Sequence, residues 1–155
     1  LIITIGGASV GDHDLVGQVA VDQGMQRAFY KVAMRPGKPL MAGRLGDAVM
    51  IGLPGNPVSA MVCGHIFVLP LLRKMLGLGT ATAPRMKARL SNSLSANGPR
   101  EHYMRARIED GNVTVYDRQD SALLTVLADA NCLAVRPPND GSRLPDDRIE
   151  IILLT

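Results

Sequence analysis

Aromatic side chains are almost missing. The chain has no tryptophan, and only two phenylalanines and three tyrosines stand among its 155 residues. Without aromatic platforms for base stacking, a single-strand nucleic-acid binder is excluded, and a net charge of +3 supplies no basic tract in its place. Cysteine is scarce as well. Cys63 and Cys132 stand far apart, form no disulfide scaffold and match no metal-ligand spacing, so both read as thiols of a reducing compartment, the cytoplasm. His13, His65 and His102 show no metal spacing either, and His65 reads as a helix-packing residue. No apolar run is read as long enough to cross a bilayer, and no basic-then-apolar leader opens the sequence. Neither a nucleic-acid nor a membrane partner is expected. Internal repeats and low-complexity tracts are lacking too.

What is present is an aliphatic core. Hydrophobic residues make up 46% of the chain, so Val, Leu, Ile, Met and Ala must fill the interior, and the methionines read as core filling. The run Leu1–Ile5 reads as a buried parallel strand covered on both faces, which implies further sheet units upstream. Gly6–His13 is a loop and Asp14–Gln23 a helix, stopped by Gly24. Arg27–Met34 reads as one strand, broken by "RPGKP" (Arg35–Pro39). Leu40–Leu45 and Ala48–Leu53 form a hairpin around Gly46-Asp47. A helix then runs from Val58 to Leu76. Asn56 is its N-cap and Pro57 its N1 residue, and Pro70 is expected to kink or divide it. "GLGTATAP" (Gly77–Pro84) reads as the linker between residues 1–83 and residues 84–155. Beyond it the period becomes alternating. Met86–Leu90, Tyr103–Ile108, Val113–Tyr116, Cys132–Val135 and Arg148–Leu154 read as five short strands of a small all-β barrel, with a helical turn within Ser121–Ala130.

Charge is unevenly shared. Seven basic residues face four acidic ones in residues 1–84, whereas residues 85–155 carry ten of each. The excess coincides with three loops suited to an anion. "GGASVGDHD" (Gly6–Asp14) and "PGNPVS" (Pro54–Ser59) each leave an apolar strand and enter a helix. If their strands are parallel, both loops lie at one sheet edge, where α/β ligands bind. Glycine permits close backbone approach, and first-turn N–H groups point at the guest. Ser9 and Ser59 add hydroxyl donors. In "KVAMRPGKP", Lys31, Arg35 and Lys38 supply positive charge on a turn stiffened by Pro36 and Pro39. Neither glycine loop is a P-loop. Nor is "GGASVG" a dinucleotide fingerprint, because Ala8 occupies the place of its second glycine. Two readings of Asp14 stay open: a helix cap, or a carboxylate holding Mg²⁺ against a substrate oxygen.

Taken in this order and spacing, "GGASVGDHD", "RPGKP" and "GLPGNPVSA" resemble the molybdopterin molybdenumtransferase family, enzymes that insert molybdenum into molybdopterin. The resemblance implies the later part of a three-layer α/β/α molybdopterin-binding domain, followed by a C-terminal β-barrel domain. It implies adenylated molybdopterin and molybdate as substrates, cleavage of the link to AMP with Mg²⁺, a homodimer, and an adenylyltransferase partner. Carried over by position, Asp14 is the catalytic and metal-binding acid. Lys31, Arg35, Pro36, Gly37 and Lys38 form the basic turn that holds molybdate or phosphate. Pro54, Gly55, Asn56, Pro57 and Ser59 form the loop against the pterin and phosphates, and Gly6, Gly7 and Ser9 the first glycine loop. Ile5 departs from the Ser that many relatives carry there. Acidic residues and dimer contacts that the family places upstream are absent, so the 155 residues alone are expected to be inactive. Three alternatives stand beside this reading: molybdopterin adenylyltransferase, a non-catalytic pterin-binding or scaffold module, and a plain nucleotide-binding protein.

Overall fold

The computed structural model describes residues 1–7, 15–79, 82–120 and 124–154. Ser9 and Asp14 lie outside the described residues. The first sheet has the strand order β1-β5-β4-β2, from β1 (Ile2–Ile5), β2 (Gln26–Tyr30), β4 (Met41–Leu45) and β5 (Ala48–Leu53). β1 pairs with β5 in parallel and the other two pairings are antiparallel. Side chains alternate across this sheet, as the pleat requires. Met41 and Met50 pack with Ala20 of α1 (Leu15–Asp22) on one face. Ile51 and Leu53 pack with Val62 and Cys63 of the following helix on the other. Helix, sheet and helix thus form three layers. β1 differs from its expectation. It is the outermost strand, and Ile3 and Ile5 are 42% and 70% exposed, because only β5 flanks it among the described residues.

The helix after β5 runs continuously from Pro57 to Met75. Two α segments, α2 (Pro57–Cys63) and α3 (Leu69–Met75), flank a π-helical turn at Gly64–Val68. Pro70 therefore does not divide the helix. It sits in the first turn of α3, where the preceding wider turn has already shifted the hydrogen bonding, with Leu69 N–H donating to the Gly64 carbonyl. The outcome is a 19-residue helix with a mean hydropathy of 1.4, long and apolar enough by length and composition to cross a membrane, contrary to the sequence expectation. Its buried residues Val62, Cys63 and Val68 pack on the sheet, which is the ordinary reason for an apolar core helix.

The second sheet closes on itself. β6 (Met86–Leu90), β7 (Glu101–Glu109), β8 (Asn112–Val115), β9 (Cys132–Arg136) and β10 (Arg148–Leu153) run in the order β7-β8-β6-β10-β9, and β9 pairs back with β7. This is the five-stranded barrel the alternating pattern predicts. Ala88, Leu90, Ala106, Val113, Val115 and Ile151 help fill it. A short helix, α4 (Leu124–Asp129), precedes β9.

One expected strand is broken in two. The run Arg27–Met34 ends as a strand at Tyr30, because Lys31 adopts a left-handed φ of 73°. The chain then crosses to the barrel, where β3 (Met34–Arg35) adds in parallel to the edge of β7. Local sequence pattern cannot foresee a strand whose partner lies about seventy residues downstream. Met34, 2% exposed, joins Leu40, Val62 and Cys63 to Tyr103, Leu133 and Val135 of the barrel in one shared core.

Removing that anchor should loosen both units. Met34→Ala is expected to cost about 2–5 kcal/mol, the range for truncating a buried methionine. Urea unfolding checks this, and a change inside experimental error would show that the shared core does not depend on β3.

Candidate functional site

Parallel pairing of β1 with β5 brings the two glycine loops to the same sheet edge. Gly6 N–H donates to the Leu53 carbonyl at 3.0 Å. A Cβ on Gly55 would stand 3.3 Å from Gly6 Cα, so the two backbones touch with no room to spare. Gly6 also has φ +80 and Gly7 φ +71. Beside them Asn56 caps the long helix, accepting from Ser59 N–H at 3.0 Å and from the Ser59 hydroxyl at 3.3 Å. Pro57 occupies its first turn. The cap and its proline stand as the sequence predicts.

The basic turn is held from three sides. Val32 N–H and Leu40 N–H both donate to the Lys38 carbonyl at 3.0 Å. Ala33 accepts from Glu101 N–H at 3.0 Å, and Arg35 lies in register with His102. The Arg35–Pro36 peptide is cis. Underneath, Gly37 has φ +106, and a Cβ there would fall 2.5 Å from Cys63 Sγ. Burial pushes the Cys63 thiol up to about 12, so it is a packing group and not a nucleophile.

A cleft of ≈ 560 Å³ opens between this turn and the barrel. Arg35, Pro36, Gly37, Lys38 and Ser59 line one wall, and Arg100, Asp117, Gln119 and Asp120 the other. The structure thus gathers most of the basic turn and Ser59 of the third loop around one space. Pro54, Gly55, Asn56 and Pro57 adjoin it through Ser59 and reach back to Gly6. Lys31 stands apart from the lining, with its ammonium 5.0 Å from the Tyr30 ring centroid, where Arg27 also sits at 5.2 Å.

The barrel residues were not foreseen. Arg100 is held by Asn97, whose amide donates to the carbonyls of Arg100 (2.9 Å), Arg136 (3.2 Å) and Pro137 (2.7 Å). Arg136 is buried, with Asp140 as its ion-pair partner at 2.5 Å, and Arg143 grips the same carboxylate from outside at 2.6 Å. These arginines, chiefly Arg143, hold Asp140 below the usual carboxylate range. His102 lies nearby, 8% exposed, with Nε2 lacking a partner among the described residues. Burial, reinforced by the charges of Arg35, Arg105, Arg136 and Arg100, lowers it to about 4. The cleft is therefore a cationic concavity, and the neutral His102 lies beside it in an adjoining hollow that shares Arg35 and Asp117. No sequence signal marked the barrel wall: Arg100 stands there with Asp117 and Asp120, and the positive surplus of the cleft comes from Arg35 and Lys38 of the basic turn.

Comparison with known proteins agrees with the fold. Residues 1–74 match the family described as "Probable molybdopterin binding domain", and residues 87–154 that described as "MoeA C-terminal region (domain IV)". The chain thus joins an α/β unit of the probable molybdopterin binding domain family to a barrel of the MoeA domain IV family. The chain is 35% identical to molybdopterin molybdenumtransferase 2 of Mycobacterium tuberculosis (strain ATCC 25618 / H37Rv) over 97% of its own length and 37% of that protein. It is 36% identical to the molybdopterin molybdenumtransferase of Nostoc sp. over 88% of its length and 34% of that protein. A crystal structure of the molybdopterin biosynthesis moea protein from Pyrococcus horikosii superimposes with a TM-score of 0.80 at 24% identity, covering 99% of this chain and 37% of that one. That likeness speaks for the fold alone. The chain belongs to the molybdopterin molybdenumtransferase family, and spans just over a third of the length of the curated relatives it matches.

Two outcomes follow from the packing. Gly37→Ala should lose roughly 2–3 kcal/mol through its left-handed φ and the clash with Cys63, measurable by denaturant titration. His102 should make the fold acid-sensitive. Its folded pKa lies below the unfolded 6.5, so the unfolded state binds the extra proton. Stability is then full above about pH 6.5 and declines as pH falls towards 4, by on the order of 1–3 kcal/mol. A melting curve followed against pH, flattened in His102→Gln, checks the assignment.

Proposed function

We propose that the chain forms the α/β and barrel portion of an enzyme that inserts molybdenum from molybdate into adenylated molybdopterin and releases AMP. The observation that carries this reading is the cleft in which Arg35, Lys38 and Arg100 converge beside Ser59. Molybdate is a small tetrahedral oxyanion, and a planar guanidinium with an adjoining ammonium and hydroxyl suits it. The pterin nucleotide lies along Pro54–Pro57 and the Gly6–Gly7 backbone, where glycines without a Cβ let its phosphates come close to the main chain. Its dithiolene is thereby brought to the oxyanion, which is catalysis chiefly by positioning. The boundary between the pterin-binding unit (1–83) and the barrel (84–155) belongs to the same proposal.

Asp14 is proposed to hold Mg²⁺ with substrate oxygens completing the shell, a donor set such an ion accepts. Asp14 lies outside the described residues, and the roles given to the cleft residues are argued from their own charge and placement. Bound there, Mg²⁺ would supply charge neutralisation at the pyrophosphate. A homodimer, an adenylyltransferase that delivers the nucleotide and a cytoplasmic location complete the proposal. The two buried free thiols support the last. An adenylyltransferase reading is disfavoured, because the barrel itself supplies Arg100 and Asp117 to the cleft.

Calorimetric titration of molybdate into the 155-residue chain tests the site. Binding should weaken about tenfold or more in Arg35→Ala, the loss expected for a charged hydrogen bond of 1.5–3 kcal/mol. AMP release from adenylated molybdopterin, followed in the longest polypeptide that carries the chain, tests the reaction. Release should require molybdate and collapse in Asp14→Asn. Release that survives that variant would return Asp14 to helix capping, and binding without release would favour a carrier.

A further inference from the structure

The barrel carries a second cationic face on its outer surface. β6 and β10 pair antiparallel, and Arg89 stands directly opposite Arg148. Ala88 and Ile149 point into the barrel, so both arginines point out of it. Like charges directly opposite one another repel and weaken a sheet. Two residues along the same outer row, Lys87 stands opposite Glu150, the pairing that would ordinarily neutralise it. Glu150 is instead engaged by Arg85, whose Nη1 donates to its carboxylate at 2.9 Å. Arg89 reaches only Asp146, at 3.4 Å and with both side chains mostly in water. Among the described residues, Lys87 and Arg148 form no ion pair.

A hollow of ≈ 410 Å³ lies between these cations and the β7–β8 turn, where Asp110 and Asn112 line it. It shares no lining residue with the cleft. Polar groups of its wall are spent within the fold. Arg89 N–H donates to the Gly111 carbonyl at 3.1 Å, and the Asn112 amide to the Asp110 carbonyl at 3.3 Å. The wall therefore offers no nest of free N–H groups for a lone small oxyanion. Exposed cations without such a nest favour an anion that meets several of them at once. Spacing narrows the choice. Lys87 and Arg89 are two residues apart on one strand, about 7 Å, the repeat at which an extended peptide presents alternate side chains on one face. No aromatic ring lines the hollow to stack a base. β6 lies between β8 and β10, so a peptide here meets side chains and cannot add as a strand. Asp110 marks one end, where the peptide must be neutral or basic.

We propose that this face docks an extended acidic segment of a partner protein, with alternate carboxylates meeting Lys87 and Arg89 beside Arg148. A carboxylate between the opposed arginines relieves their repulsion, which is the reason for placing them together. The proposal is independent of how the cleft is read, and a segment held here leaves the cleft lining uncovered.

The test is fluorescence anisotropy at low ionic strength with a labelled nonapeptide of alternating glycine and glutamate, and a second peptide with the same glutamates in one block. Four variants each remove one positive charge: Lys87→Thr, Arg148→Thr, Arg107→Thr elsewhere on the outer barrel, and Lys38→Thr in the cleft. Wild type should bind the alternating peptide at least threefold more tightly than the blocked one. Lys87→Thr and Arg148→Thr should each weaken it fivefold or more, and Arg107→Thr and Lys38→Thr less than twofold. The melting temperature of Arg148→Thr should hold or rise as the repulsion is removed. Should that variant not fold, Lys87→Thr decides the binding, since it leaves the opposed arginines in place. No peptide binding by wild type, equal loss in all four variants, or loss in Lys38→Thr alone overturns the proposal. So does displacement of the peptide by low-millimolar inorganic phosphate, which would make the hollow a small-anion site. A duplex oligonucleotide bound more tightly than the peptide through Lys87 and Arg148 would assign the face to nucleic acid and overturn it as well.

Discussion

A two-residue strand holds this molecule's chemistry in place. Met34 and Arg35 pair with Glu101 and His102 on the edge of β7, and on that short ladder depend the position of the basic turn, the closure of the cleft and the shared core. Backbone pairing fixes direction where side-chain contacts alone would allow rotation. Glu101 shows how closely the join is knit. Its carboxylate accepts from the Tyr103 hydroxyl at 2.6 Å and from Arg85 at 3.1 Å, and Arg85 continues to Glu150 on β10. The strand that receives the basic turn is thus itself braced across the barrel.

The chemistry of the cleft is a balance between attraction for an anion and the expense of crowding cations. Arg136 meets that expense locally, by sharing Asp140 with Arg143. His102 meets it by staying neutral. Arg100 is held by its carbonyl, which Asn97 grips, and its side chain is left to the cleft. The arrangement works because each cation has a different means of being tolerated, so their charges accumulate on one side without unfolding the loops that carry them.

Much of the local structure was legible in the sequence. Asn56 and Pro57 announce a helix start through chemistry that acts within four residues, and Gly46 announces a hairpin in the same way. Alternation across residues 86–154 likewise reveals a barrel, because its period is a local quantity. What escaped was non-local. Nothing in Lys31–Arg35 tells of a left-handed turn towards a distant barrel, so one strand was read where two half-strands serve different sheets. Pro70 misled for a related reason: its local rule is sound, yet a π-helical turn upstream relieved the conflict. The site was half legible. The turn and the glycine loops carry compact motifs, whereas Arg100, Asp117 and Gln119 become neighbours of Arg35 only when the barrel docks.

The way β3 is shared bears on how such a protein could have been assembled, and on how it can be re-engineered. The barrel looks in sequence like a cassette that follows a linker, ready to be exchanged between scaffolds. Its edge is nevertheless completed by a segment encoded far upstream, and its Tyr103, Leu133 and Val135 finish a core begun there. A transplanted barrel would arrive with an unpaired β7 edge and an apolar flank, and its donor would lose the support beneath Arg35. The smallest exchangeable unit is therefore discontinuous: residues from about Val32 to Leu40 travel with residues of the barrel, or neither part functions as a module.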